Sequence, residues 1–141
     1  MRSRRVALLL MSALGVAIAA YLTVLHYDTG VPLYCLGSQG HGLINCENVL
    51  TSPESVVLGI PVPVWGLLWF IVTGALVLLS RGSERARSFL MAWSIAGGIV
   101  VIYLVFVEFD VLHHVCIWCS TLHALILAIL GLQVYEAGAR G

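Results

Sequence analysis

Four long apolar runs, residues 6–27, 61–80, 88–109 and 115–137, decide what this chain can become. A helix needs about 20 apolar residues to cross a bilayer core, and each run is about that long. In lipid the backbone must satisfy its own hydrogen bonds, so such runs cross as helices. The rest of the sequence offers no soluble alternative. With 60% hydrophobic and only 10% charged residues, a chain of 141 residues lacks the polar side chains for a water-facing exterior. The mean hydropathy of +1.01 says the same. Short links between consecutive runs favour an antiparallel arrangement. The expected fold is an all-α integral membrane protein, a four-transmembrane-helix bundle, forming one domain over residues 1–141.

The arginines set its orientation, since the chain has no lysine. Arg2, Arg4 and Arg5 precede the first run, Arg81, Arg85 and Arg87 separate the second from the third, and Arg140 follows the fourth. All seven lie on one side of a four-pass layout. Positive charge is retained in the cytoplasm, so both termini are expected there. The loop of residues 28–60 and the short turn of residues 110–114 then face outward. The N-terminus also has a secretory-signal look, with Arg2, Arg4 and Arg5 ahead of an apolar stretch and Ala17-Ile18-Ala19 as a small-residue site. The apolar stretch continues through Tyr21, Leu22, Val24 and Leu25, which makes it a retained first span. The zero net charge and small basic clusters give no reason to expect nucleic acid.

Inside the runs, Gly15 and Ala19 of the first, and Ala92, Ala96 and Gly97 of the third, are expected at close helix contacts. In the outward loop, Gly30, Pro32, Gly37, Gly40 and Gly42 predict turns and mobility. The later part, residues 47–55, predicts a short interfacial helix or cap. Ser52 would cap a second turn that begins at Pro53. Gly59, Pro61 and Pro63 return the chain to the membrane, and the whole loop is expected to lie as a lid over the outer end of the bundle.

All four cysteines fall on the outward side of this layout. Cys116-Ile117-Trp118-Cys119 opens the last run, and Cys35 and Cys46 sit in the long loop. Two residues between cysteines bring the sulfurs together within one helical turn, and a helix N-terminus favours a thiolate on the first, although burial opposes it. Cys116 is placed to meet thiols arriving from the loop, and Cys119 to meet a partner within the bundle. The residues alone leave other readings open: a scaffold with structural disulfides in an oxidising compartment, or a metal site drawing on the cysteines with His113, His114 and His123. Ten residues between Cys35 and Cys46 in a glycine-rich loop suit a metal knuckle poorly, and no metal ligand is assigned.

In its order of elements the chain resembles the vitamin K epoxide reductase family in its short bacterial form. Cys35 and Cys46, Ser52, Gly59 and Pro61 before the second run, and Cys116-Ile117-Trp118-Cys119 at the start of the fourth carry the resemblance, which spans nearly the whole chain. The disulfide-bond formation protein B family, also a quinone-linked four-helix bundle, has its two cysteine pairs in the opposite order. The resemblance implies a thiol oxidoreductase of the plasma membrane that reoxidises an extracytoplasmic thioredoxin-like protein and delivers electrons to ubiquinone or menaquinone. It assigns Cys119 to the quinone, Cys116 to a disulfide with Cys119 in the oxidised enzyme, Cys46 to exchange with Cys116, and Cys35 to the substrate thiol. Some bacterial members carry a fused thioredoxin-like domain after the fourth helix; with the sequence ending at Gly141, the partner is expected to be a separate protein.

Ser52 matches a family serine near the active cysteines and is a candidate hydrogen-bond donor to a quinone oxygen, beside its simpler role in a turn. His123, one helical turn past Cys119, stands where vertebrate relatives have tyrosine and is a second candidate donor. Trp65, Trp69 and Trp118 are candidates to pack on a quinone ring, although tryptophan is common at membrane interfaces in any case. Glu108, Asp110, His113 and His114 cluster at the turn before Cys116, where they are candidates to shuttle protons or tune Cys116, beside the simpler reading of a solvated interfacial turn. The spacing of Cys35 and Cys46 is wider than is usual in the family, so the loop geometry is expected to differ.

Overall fold

The computed structural model describes residues 2–28, 30–32, 34, 35 and 42–141; Gly37, Gly40 and His41 lie outside the described residues. Four helices are long and apolar enough to cross a membrane. They are α1 (Arg2–Tyr27), α3 (Val62–Leu79), α4 (Glu84–Phe106) and α5 (Ile117–Arg140), with a short α2 (Cys46–Thr51) in the lid. The protein is an all-α membrane bundle. Two helices begin earlier than their apolar runs. α1 takes in the basic residues from Arg2, and α4 starts at Glu84 because the Ser83 hydroxyl accepts the Ala86 N–H at 3.3 Å. Glu84 in that first turn also suits the positive end of the helix dipole.

α1 packs on α3, α3 on α4, α4 on α5 and α5 back on α1, closing a ring of four. Where lipid is as apolar as the side chains, close packing holds helices together. Gly15 is the tightest such point: a Cβ there would lie 2.3 Å from Cδ1 of Phe70, a ring with no exposed surface. Gly97 does the same for the Trp69 indole, 2.7 Å from where its Cβ would be. Trp69 stacks in turn on Trp93 at 6.4 Å between centroids. Ala19 is fully buried, as expected for a contact residue. Ala92 and Ala96 are not: both are exposed, and Gly97 and Gly98 take the inner face of α4. A helix that is apolar all round carries no periodic sign of its buried side, which is why the small-residue pattern misplaced those two. Polar bonds also cross between the helices, from Gln133 Nε2 of α5 to Ser94 Oγ of α4 at 2.6 Å and from the Trp93 indole N–H of α4 to Thr73 Oγ1 of α3 at 3.1 Å.

The lid is built from short pieces. The Asn45 side chain accepts the Asn48 N–H at 3.0 Å and caps α2. A single turn of 3-10 helix, Pro53–Ser55, follows with Ser52 at its N-cap position and Pro53 first. β1 (Val56–Val57) and β2 (Ile60–Pro61) then pair antiparallel around Leu58 and Gly59, both at positive φ. Positive φ at both loop residues is what a tight two-residue hairpin needs. The Trp65 indole N–H donates to the Val57 carbonyl at 3.1 Å and ties this hairpin to α3.

Candidate active site

The last helix begins at a sulfur. Cys116 is the N-cap of α5, and its Sγ accepts the Cys119 backbone N–H at 3.4 Å, as a serine or aspartate oxygen would at other helices. Cys116 has no exposed surface and Cys119 is half-buried; both are free thiols. Just ahead of the fourth span, the Cys116 thiol is held below its ordinary pKa. The hydrogen bond from the Cys119 thiol is the main cause; burial opposes it, the backbone N–H groups of Cys119 and Trp118 assist it, and the Glu108 carboxylate opposes it. The pair is therefore biased toward a thiolate on Cys116, the sulfur nearer the lid.

In the lid, Cys35 and Cys46 form a disulfide with Cα atoms 6.3 Å apart. Backbone pairing carries this pair to the helix mouth. Ile44 and Val115 form a parallel bridge, in which Val115 N–H donates to Leu43 O at 2.8 Å and Asn45 N–H to Val115 O at 3.1 Å. Cys46 follows this bridge on one strand and Cys116 on the other, and both are fully buried in the same core cluster, with Cys35 and Cys119 packed against it. A second clamp holds the other arm of the loop. The Trp118 indole N–H donates to the Tyr34 carbonyl at 2.6 Å, and the Tyr21 hydroxyl donates to the Pro32 carbonyl at 3.1 Å and accepts the Tyr34 N–H at 3.3 Å. Tyr21 and Trp118 meet edge to face at 5.5 Å. Both arms of the loop are thus fastened where they approach the disulfide.

The family resemblance assigns a disulfide to the helix pair in the oxidised enzyme; in this structure the lid pair is joined and Cys116 and Cys119 are thiols.

Other candidates fall into two groups. His123 is buried, one turn below Cys119. Ser52 is buried in the lid, where its hydroxyl donates to the Val49 carbonyl at 2.8 Å and closes the end of α2. Trp65 is 38% exposed and braces the hairpin, while Trp69 lies inside the bundle against Gly97. Trp118 fastens the loop. Among the described residues, no three His, Cys, Asp or Glu side chains gather as a metal site would require.

Glu108 was read as part of a solvated turn, and this reading is wrong. Its side chain is buried, while Asp110 and His113 are exposed. α4 widens into a π-helical stretch, Val107–Leu112, and ends at His113 in the left-handed region. The Glu108 carbonyl catches the turning chain through the His114 N–H at 3.1 Å. Its carboxylate Oε2 accepts the Cys116 N–H at 3.4 Å, and Oε1 lies 3.8 Å from His123 Nδ1. Its place in the turn ahead of Cys116 was the signal the sequence offered; the widened helix end is what brings it, and not Asp110 or His113, inward.

Two cysteine pairs thus meet at one end of a four-helix bundle. The model described as Vitamin K epoxide reductase family matches residues 6–134, most of the chain.

Proposed function

Because the chain belongs to the vitamin K epoxide reductase family of membrane disulfide oxidoreductases, we propose that it reoxidises an extracytoplasmic thioredoxin-like protein and passes the two electrons to a quinone. The observation that carries this reading is the Ile44–Val115 bridge, which brings the lid disulfide and the helix dithiol into one buried cluster. A soluble dithiol protein cannot enter the bilayer and a quinone cannot leave it, so an enzyme joining them needs sulfurs that exchange across the interface. Thiol–disulfide exchange proceeds through a mixed disulfide and requires one sulfur to reach the next.

The roles follow the order of burial. Cys35, the less buried member of the lid pair, accepts attack by the partner's thiolate. Cys46, freed in that exchange, attacks Cys116 and releases Cys119; the partner's second thiol then frees Cys35 and leaves oxidised, and Cys35 re-forms the bond to Cys46 and releases Cys116. The resulting dithiol is held with its thiolate on Cys116 by the helix start and the Cys119 hydrogen bond. A quinone supplies a two-electron, two-proton acceptor. The residues fit such a group: Cys119 presents a thiol inside the bundle, His123 a buried imidazole one turn below it, and Leu122 and Ile126 apolar wall. Ser52 and Trp65 belong to the same proposal as lid-side residues, and ubiquinone and menaquinone both meet its chemistry.

The arginines support cytoplasmic termini and outward-facing cysteines. Arg5, Arg87 and Arg140, from three different helices, line one cavity of about 360 Å³ at the end of the bundle away from Cys116. Retention of basic residues in the cytoplasm supports an orientation with that end inside the cell and the lid on the extracytoplasmic face of the plasma membrane.

The test is reconstitution. Purified protein mixed with a short-chain quinone and a reduced thioredoxin-like protein is expected to yield quinol and oxidised partner in equal amounts, and Cys116→Ser or Cys119→Ser to abolish both. Absence of quinol with the unaltered protein, or normal turnover in all four single Cys→Ser variants, overturns the proposal.

A further inference from the structure

We propose that Glu108 and His123 form an internal proton relay serving the Cys116–Cys119 dithiol; the inference rests on the quinone-linked reading of that site. Glu108 sits between a reacting residue and a buried base. One carboxylate oxygen is 3.4 Å from the Cys116 nitrogen, and the other faces His123 Nδ1 at 3.8 Å. Only 5% of Glu108 and 8% of His123 are exposed. Burying a carboxylate is costly unless its oxygens find partners. To brace the Cys116 N–H, the neutral amide of glutamine would serve at lower cost. A carboxylate beside an imidazole adds what an amide lacks, the ability to take up a proton and hand it on. The helix is also distorted to put it there, and π-helical turns recur at functional sites.

The step balances as follows. Oxidation of the dithiol breaks two S–H bonds, forms one S–S bond and releases two electrons and two protons. The electrons and protons together convert a quinone to a quinol. Cys119 releases its proton inside the bundle. The proton that Cys116 loses in becoming the thiolate is taken up by the Glu108 carboxylate, whose Oε2 lies 3.4 Å from the Cys116 nitrogen. A small side-chain rotation closes the 3.8 Å gap to hydrogen-bond length and passes it to His123, one turn below Cys119. The other titratable groups near Glu108 do not share this position. Asp110 and His113 on its own stretch are exposed, and His114 is half-buried with its backbone N–H on the Glu108 carbonyl. His26 of α1 faces the Leu50 carbonyl at 3.3 Å, Glu47 of α2 is exposed, and Cys46 is held in the disulfide.

Two measurements test the relay. The first needs no quinone: infrared difference spectra between the Cys116–Cys119 dithiol and disulfide forms of the purified protein. A protonated-carboxyl band is expected to change between the two forms and to be missing in Glu108→Gln. The second follows quinone reduction by a small dithiol across pH. Glu108→Gln and His123→Gln are each expected to lower kcat on the order of 10²-fold, the usual scale of acid–base assistance, and to leave KM within about twofold. Members of one path are non-additive, so the double variant should be no slower than the slower single variant. Both single variants are expected to flatten the pH dependence. His123→Gln provides this readout independently if Glu108→Gln folds poorly. An unchanged infrared difference in Glu108→Gln overturns the relay, as do wild-type pH profiles in both variants or losses that multiply in the double variant. In these last cases wild-type quinone reduction stands and only the relay falls; if the unaltered protein reduces no quinone, the functional reading falls and takes the relay with it.

Discussion

Ile44 and Val115 are joined by a parallel backbone bridge, and each is followed within two residues by a buried cysteine, Cys46 on one side and Cys116 on the other. The two residues are 71 positions apart in the chain. Side-chain packing alone would let the lid slide over the bundle. Two backbone hydrogen bonds at 2.8 and 3.1 Å fix its register beside Cys46 and Cys116.

This register is testable by forcing the two sulfurs to choose each other. With Cys35→Ser and Cys119→Ser combined, only Cys46 and Cys116 remain. They are expected to oxidise to an intramolecular disulfide, detected by peptide mass mapping, because a disulfide forms only where Cα atoms come within about 4.4–6.8 Å. Adding Val115→Pro removes the N–H that donates to Leu43 and is expected to suppress the cross-link. A bundle that stays intact but never forms the Cys46–Cys116 bond would refute the proposed transfer route.

Trp118 supplies the clamp on the other arm of the loop through its 2.6 Å bond to the Tyr34 carbonyl. Trp118→Phe keeps an aromatic ring near Tyr21 and deletes the donor. Loss of one hydrogen bond is worth about 0.5–1.5 kcal/mol. If the clamp controls access to the neighbouring Cys35–Cys46 bond, its reduction by a small dithiol should speed up by roughly 2- to 10-fold, since 1.4 kcal/mol is tenfold. Rates equal to wild type, followed by thiol titration, would show that the loop is held elsewhere.

The bundle was legible in the sequence because its cause is local: length and apolarity of a run are enough to mark a crossing, and the prolines at 61 and 63 mark the return to the membrane; the start of α4 at Glu84 was not read, because the apolar run begins only at Ser88. The place of Cys116 at the start of the last helix was legible through the Cys116–Cys119 spacing. The lid pieces around Ser52 and Pro53 could also be read, down to the position of the turn. What stayed hidden depends on partners distant in the chain. Ala92 and Ala96 look like contact residues, yet only the position of α3 determines that Gly97 is the one meeting Trp69. Trp118 has the composition of an interfacial anchor, and its bond to Tyr34 crosses 84 positions. Glu108 lies in a polar-looking stretch, and only the widened helix end reverses its exposure.

Gly15 offers a stability test within the membrane. Any side chain there meets the Phe70 ring, since a Cβ would lie 2.3 Å from Cδ1. Gly15→Ala is expected to force α1 and α3 apart or displace Phe70, at a cost of about 1–3 kcal/mol for an overpacked interior. Detergent-titration unfolding measures this directly. Combining it with Phe70→Leu, which frees ring volume, should recover part of the loss; an alanine variant as stable as wild type would place the α1–α3 contact wrongly.

The hydrogen bond between the two helix cysteines makes a prediction about pH. The Cys119 thiol is the main influence holding the Cys116 pKa down. Below that pKa the sulfur is a thiol and reacts slowly; above it the thiolate attacks. Cys119→Ala removes the donor, and burial, which pushes the other way, then dominates. The Cys116 pKa should rise, so the pH at which its alkylation reaches half-maximal rate should move upward, and at neutral pH the rate should fall. Cys119→Ser retains a hydroxyl donor in the same place and is expected to fall between alanine and wild type. The comparison is made with Cys35 and Cys46 left in their disulfide, so that Cys116 is the only thiol being modified in both variants. A downward shift in Cys119→Ala would mean that the neighbouring sulfur suppresses, rather than supports, the Cys116 thiolate.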